Sequence, residues 1–241
     1  MDALLVRERY KVVRVLDTRE NYAFAEAVDI LDREHRPCLL NIYEGPLLRA
    51  YLSCFDRLDA CPAFLGMFVE GESLVTVFGM CGGKPIDHVF YRGARFDWRT
   101  RLDYAGMLLH AALNMSDLPP EVSCAAMLSE NVLIDENNKE IHLRFQVSPL
   151  EGMNPRELVN LTVDQLEKIL LPQLNTPREQ MDFLDEAASG NSTTIVQLYS
   201  LWRDRRERIQ AAYEELEGMN FIRRWISLLW GLVKRRMAGS R

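Results

Sequence analysis

The sequence predicts an α+β fold, with a small, mostly antiparallel β half that carries one helix, followed by a helical half. Three observations carry this. Up to about residue 92, apolar residues recur mostly with the period of two that marks strands. The run Gly82-Gly83-Lys84-Pro85 then interrupts the chain and reads as a hinge. Beyond it helical spacing takes over, beginning with Trp98, Leu102, Ala105, Leu109 and Ala112 on one face.

Taken in order, Tyr10 to Leu16 is rich in β-branched residues and forms a first expected strand. Tyr22 to Ile30 and Cys38 to Tyr43 are the next two, separated by the charged turn at residues 32–36. Pro46 stands at a helix-start position, and Leu48, Tyr51, Leu52 and Phe55 follow at helical spacing. Phe64 to Val69 and Leu74 to Phe78 flank Glu70-Gly-Glu72 as a hairpin. After the helix from Trp98 to Leu113, Val132 to Ile134 and Ile141 to Leu143 pair around the polar turn 135–139. A helix is expected from Leu161 to Leu171, stopped by Pro172, with the breakers Pro149, Gly152 and Pro155 in a loop before it. Thr176-Pro-Arg-Glu179 reads as a capping box that opens a helix ending near Gly190. A longer helix is expected from about Thr194 to Glu217, with Arg203–Glu207 and Asp204–Arg208 pairs at i,i+4, and a last one from Asn220 to about Met237. The expected units are residues 1–81, 82–200 and a C-terminal helical extension over 201–241.

Composition narrows the function classes. Of 241 residues, 48% are apolar and 27% charged, enough to bury a core and unlike a disordered chain. The five scattered cysteines form no C-x-x-C pair and do not cluster with the four histidines. No metal site is expected, and the plain reading is reduced thiols in a cytoplasmic protein. Arg7, Glu8, Arg9 and Lys11 interrupt anything like a secretory signal, and no stretch reaches the roughly 20 apolar residues of a spanning helix. Residues 201–241 carry ten Lys/Arg against five Asp/Glu, a surplus of +5, which leaves −11 on the first 200 residues of the total of −6. An acidic body argues against nucleic acid as a partner, while the basic tail permits an anionic membrane or an acidic protein partner.

The stretch Leu128-Ser-Glu-Asn-Val-Leu-Ile-Asp135 resembles the end of a protein kinase catalytic loop, H-R-D-L-x-x-x-N, with Asn131 at the asparagine. Tyr10 to Tyr43 is similar to the first three strands of bacterial Ser/Thr kinases, with Pro37 to Ile42 as the strand that bears the family's lysine. Phe64 to Met80 looks like the strands leading to the adenine hinge, and Ile141 to Phe145 like the strand before D-F-G. The resemblance runs from about Tyr10 to Leu201 and implies a bilobal kinase-like fold: a small β lobe with one helix, a helical lobe, then C-terminal helices.

The same resemblance implies lost chemistry. Cys124, Ala125 and Ala126 stand where His, Arg and the catalytic Asp belong. Asn41 replaces the strand lysine, and Pro46 to Ala60 offers no Glu to partner it. No glycine precedes Gly45, so Asp17-Thr-Arg-Glu-Asn-Tyr22 would occupy the phosphate loop. Arg144-Phe-Gln-Val147 follows Leu143 with no Asp for magnesium. Asn41, Ala126 and Asn131 are therefore vestigial positions, with Asn131 expected to cap backbone groups in its loop. No catalytic residue and no cofactor is expected.

The tail Phe221 to Met237 sets Arg223, Arg224, Ser227 and Lys234 opposite Trp225, Leu228, Leu229 and Leu232, and adds Trp230, Arg235 and Arg236. That pattern suits either an interfacial membrane helix or a helix packed on a protein surface. The expected function is a pseudokinase adaptor that binds protein partners, with an anionic membrane surface as a further contact of residues 221–237 at the inner face of the membrane, in an envelope or secretion assembly. Two alternatives stand beside it. One is a divergent nucleotide-binding transferase with Asp17, Glu130 and Asp135 as its acidic candidates. The other is a protein that homodimerises through its last helices.

Overall fold

The structure, a computed structural model, describes residues 5–58 and 60–219. The first half is one six-stranded antiparallel sheet in the order β1-β2-β3-β4-β6-β5. Its strands are β1 (Leu5–Val6), β2 (Tyr10–Arg19), β3 (Tyr22–Asp29), β4 (Pro37–Glu44), β5 (Phe64–Glu70) and β6 (Ser73–Gly79). Helix α1 (Gly45–Phe55) connects β4 to β5 and lays Tyr51 and Phe55 on the sheet. β4 and β6 lie inside the sheet and are buried on both faces, so apolar residues run through them with little alternation.

Residues 17–19, expected in an open loop, instead prolong β2. Arg19 pairs with Tyr22, and Glu20-Asn21 forms a two-residue hairpin turn with Asn21 at a φ of 57°. The Asn21 carbonyl also accepts from the Glu44 N–H, which ties the hairpin tip to the end of β4.

The expected break at 82–85 does not separate two independent pieces. β7 (Lys84–Pro85) pairs with β8 (Val132–Asp135), which pairs with β9 (Glu140–Leu143) in a second, three-stranded sheet. The helical half consists of α2 (Ile86–Val89), α3 (Trp98–Met115), α4 (Pro120–Ala126), α5 (Pro155–Ile169), α6 (Arg178–Ala188) and α7 (Ile195–Gly218).

Several expectations are corrected here. α5 begins at Pro155, not Leu161: Asn154 caps it by accepting from the N–H groups of Arg156 and Glu157, and proline is at home in a first helical turn. Thr176 is no helix cap, because its hydroxyl accepts from the Gln173 N–H and closes the turn before α6. Pairing on α7 reaches other helices, Arg205 to Glu186 and Arg206 to Asp103, where the sequence suggested pairs within the helix. The boundary drawn at residue 200 falls inside α7, whose Leu198, Trp202, Ile209 and Tyr213 share one core with α3, α5 and α6. α4 went unforeseen because its Pro119-Pro120 start looks like a breaker, although proline is favoured at a helix start.

Three cores result. One fills the helical half, around Leu108, Leu109, Leu166, Phe183 and Trp202. A second joins the two halves, with Phe24, Leu39 and Tyr43 from the sheet meeting Tyr51 and Phe55 of α1, Ala125 and Ala126 of α4, and Phe145 and Val147. The third covers the other face of the sheet, around Tyr10, Leu40 and Val77.

Candidate functional site

The cleft between sheet and helices is where the candidate positions Asn41, Ala126 and Asn131 fall. Alternation along β4 aims Leu39, Asn41 and Tyr43 into it. Asn41 is fully buried, and its amide is bonded at both ends. Its Oδ1 accepts from the Tyr22 hydroxyl at 2.9 Å and the Val147 N–H at 2.9 Å, and its Nδ2 donates to the Phe145 carbonyl at 3.0 Å. Two residues along, the Tyr43 hydroxyl donates to the Val147 carbonyl at 2.6 Å. Three side-chain hydrogen bonds from Asn41 and Tyr43 thus reach the 145–147 segment across the cleft, and Tyr22 braces Asn41 from the neighbouring strand.

Aromatic rings complete the contact. Phe145 stacks on Phe78 with centroids 4.9 Å apart and planes at 4°. Tyr43 stacks on Tyr51 of α1 at 4.4 Å, and Phe55 lies 5.5 Å from Tyr43. Burial pushes the Tyr22 and Tyr43 hydroxyls far above their ordinary pKa and Tyr51 to about 12, and the protonated Tyr22 and Tyr43 hydroxyls are the donors. Thr76, the cross-strand neighbour of Asn41, buries its hydroxyl with no hydrogen-bond partner among the described residues.

Asn131 is also fully buried. Its Nδ2 donates to the Ala125 carbonyl at 2.7 Å and the Gln146 carbonyl at 3.2 Å, while its Oδ1 accepts from Arg144 Nε at 3.1 Å. The Arg144 guanidinium continues to the Glu130 carbonyl at 2.8 Å. Ala126, the last residue of α4, is fully buried against the joining core. Asn131 and Arg144 thus tie the loop to α4 and the 144–146 segment, while Gln165 and Lys168 of α5 hold it at Met127 and Ser129.

The three acidic candidates are spread apart. Asp17, on β2, accepts from Gln146 Nε2 and from Arg19 Nε, both at 3.1 Å. Asp135 closes the β8–β9 turn, accepting from the N–H groups of Asn137 and Asn138, and those bonds hold its pKa below the ordinary carboxylate value. Glu130 lines a groove in the helical half. Among the described residues no three His, Cys, Asp or Glu side chains gather as a metal site would require. The five thiols are free, and burial raises the pKa of each, to about 11 for Cys38, Cys54 and Cys124.

Sequence reasoning placed Asn41 and Asn131 in the site but missed Tyr22, Phe145, Val147 and Gln146 as their partners, and Tyr43 as a second tie to Val147. One signal was available: Tyr43 lies two residues from Asn41 and so on the same face of a strand. The tail positions Arg223, Arg224, Trp225, Leu228, Leu229, Trp230, Lys234, Arg235 and Arg236 lie outside the described residues.

Among solved structures, the chain is similar to the kinase domain of PknI from Mycobacterium tuberculosis (a double mutant), with a TM-score of 0.57 at 10% identity over 86% of this chain and 99% of that one. It is also similar to Rad53 in complex with AMP-PNP, with a TM-score of 0.58 at 14% identity over 80% of this chain and 65% of that one. No protein-family model matches the chain. No curated protein matches it either. At these identities the likeness establishes a protein kinase-like fold: a curled antiparallel β sheet followed by helices.

Proposed function

We propose that this kinase-like chain is a pseudokinase, a non-catalytic scaffold that binds protein partners. The observation that carries the reading is the Asn41 amide, which holds the Phe145 carbonyl and the Val147 N–H at a position where the family resemblance expects a lysine for phosphate. The ATP and magnesium that a kinase fold implies do not suit the residues present. Arg144 brings positive charge where a carboxylate would hold the metal, and it is bonded to Asn131 and Glu130. Ala126 offers no oxygen to accept a hydroxyl proton and is buried. Glu20-Asn21 is a tight turn pinned to Glu44 and supplies no glycine backbone to cradle phosphates.

The connection from β9 to α5 supports the same reading. Only residues 144–154 lie between them, and Asn41, Tyr43 and Asn131 engage three of these residues. A kinase activation segment must present a peptide substrate and be ordered by phosphorylation, and so short and tethered a link has little room for either. That leaves the surface of the kinase-like fold as the part available to a protein partner. Attachment of this scaffold to the inner face of an anionic membrane rests on the sequence of residues 221–237, and no described helix is long and apolar enough to cross a membrane.

Thermal unfolding with millimolar ATP and magnesium or manganese tests the proposal. A nucleotide at 100 times its dissociation constant would stabilise the protein by about 2.7 kcal/mol. The expected result is no shift with any nucleotide. A metal-dependent rise in Tm would overturn the scaffold reading and bring forward a divergent transferase.

A further inference from the structure

The helical half carries a groove of about 1760 Å³ between the 128–130 loop, α5, the 171–177 connection, α6 and the end of α7. Small-molecule sites span roughly 300 to 1,000 Å³, so this concavity is sized for a length of polypeptide. Leu161, Leu171 and Leu174 line it, and Leu174, 96% exposed, stands out from the connection as an apolar side chain open to a partner.

Charge selects what can lie there. Glu130 from the loop, Asp164 and Glu167 from α5, Glu179 from α6 and Glu215 from α7 converge on the groove, all exposed, and none has an ion pair among the described residues. Of the three lining cations, Lys168 is held by Asp87 at 2.7 Å and Arg178 by Asp182 at 3.2 Å, and neither of those acids lines the groove. Among the described residues, Arg92 alone is left to face the five carboxylates. Like charges around one concavity repel each other, and cations that enter it relieve the repulsion. The surplus of −11 on the first 200 residues draws a basic partner from further away.

We propose that this groove is the face on which the scaffold docks a partner, and that its occupant is a segment of another protein carrying lysines or arginines beside apolar side chains. The apolar side chains lie on Leu161, Leu171 and Leu174, and the cations meet the carboxylate rim. An acidic segment is refused, because it would add like charge to that rim. The proposal rests on the scaffold reading above and deepens it by naming a face and a partner chemistry.

Binding of a labelled peptide of roughly 14 residues, built of leucine and lysine, to the full chain tests it. In fluorescence anisotropy at about 0.15 M salt, this peptide should bind at least about tenfold more tightly than its counterpart with glutamate for lysine. Glu167→Arg with Glu179→Arg should reverse that preference, a gain for the glutamate peptide that a misfolded variant would not show. Leu174→Asn should weaken the lysine peptide at least about fivefold, and the side chain is exposed, so the fold is kept. Glu34→Arg with Glu72→Arg, an equal change of charge on the sheet half, should leave its binding within about twofold. Equal losses from the two charge variants would overturn the proposal, because the attraction would then belong to the whole acidic body. No binding, or binding indifferent to Leu174, would overturn it as well. The two readings fail separately. Such a result with no nucleotide shift strikes the groove and keeps the scaffold, whereas a metal-dependent nucleotide shift strikes the scaffold while the peptides still decide the groove.

Discussion

Replacing Asn41 with leucine tests whether one buried amide joins the two halves. Leucine is similar in size, so the substitution removes hydrogen bonds without opening a large cavity. Three are lost, from Tyr22, to Phe145 and from Val147. At a net value of about 1 kcal/mol each, they contribute about 3 kcal/mol, and one buried partner left without a replacement bond adds a desolvation cost of about 1 to 3 kcal/mol. Burying leucine carbon in place of the amide returns about 1 to 2 kcal/mol. The balance is a loss of about 2 to 5 kcal/mol, or roughly 5 to 15 °C in Tm for a chain of this size. Urea unfolding followed by far-UV circular dichroism would measure it, with Tyr43→Phe as a one-bond comparison expected to cost about 1 kcal/mol. Both side chains hold the same 145–147 segment, so the double variant should depart from additivity. Exchange at the Val147 amide should rise more in Asn41→Leu than the global loss explains. A loss below about 1 kcal/mol, with Val147 still protected, would refute the argument that Asn41 fastens the segment.

Other sites give independent checks. Thr76→Val should raise stability by about 1 kcal/mol, because it removes a buried hydroxyl that has no partner among the described residues; a drop in the urea midpoint would contradict this. Asn131→Ala should cost at least about 2 kcal/mol in the same assay, since it strands two buried carbonyls and the Arg144 Nε–H. Gly83→Ala should cost about 1 to 3 kcal/mol: its φ is 132°, and an added Cβ would lie 3.0 Å from Leu133 Cβ and 3.1 Å from the Ile134 backbone. Asp97 caps α3 by accepting from the Thr100 N–H, a bond that holds its pKa below the ordinary value of 3.8. A depressed folded pKa means that this contribution is complete above the unfolded value and fades as pH falls through the folded one. Asp97→Ala should therefore cost about 1 kcal/mol at pH 7, with the difference from the unmodified chain shrinking below about pH 4 in an acid titration of Tm.

How much of this was legible in the sequence depends on the range of the interaction. The five long strands of the first sheet and the helix after the third follow from local spacing, because period two and period 3.6 are written into neighbouring residues. Asn41 on its strand and the turn before β8 could be read the same way. Features whose partners are distant in sequence could not. Tyr22, Asn41 and Tyr43 meet Phe145 and Val147 only when the sheet closes on the helices, across sequence separations of more than 100 residues for the Asn41 and Tyr43 bonds. The misplaced starts of α5 and α6 have the same origin: Asn154 and Thr176 are both plausible caps, and only the folded backbone decides which one meets a helix N–H.

The sequence by itself determined the class of fold, the β-then-helix order, the missing phosphate-loop glycines and the charge contrast between an acidic body and a basic tail. These are properties of residue type and of short-range periodicity. Tertiary structure alone decided that Asn41 and Asn131 spend their hydrogen bonds inside the protein, that Arg144 reaches back to the loop, and that an acidic, leucine-lined groove opens beside the end of α7. Each of these depends on which distant groups burial brings within bonding distance, and a buried polar group must find its partners there or carry the cost of lacking them.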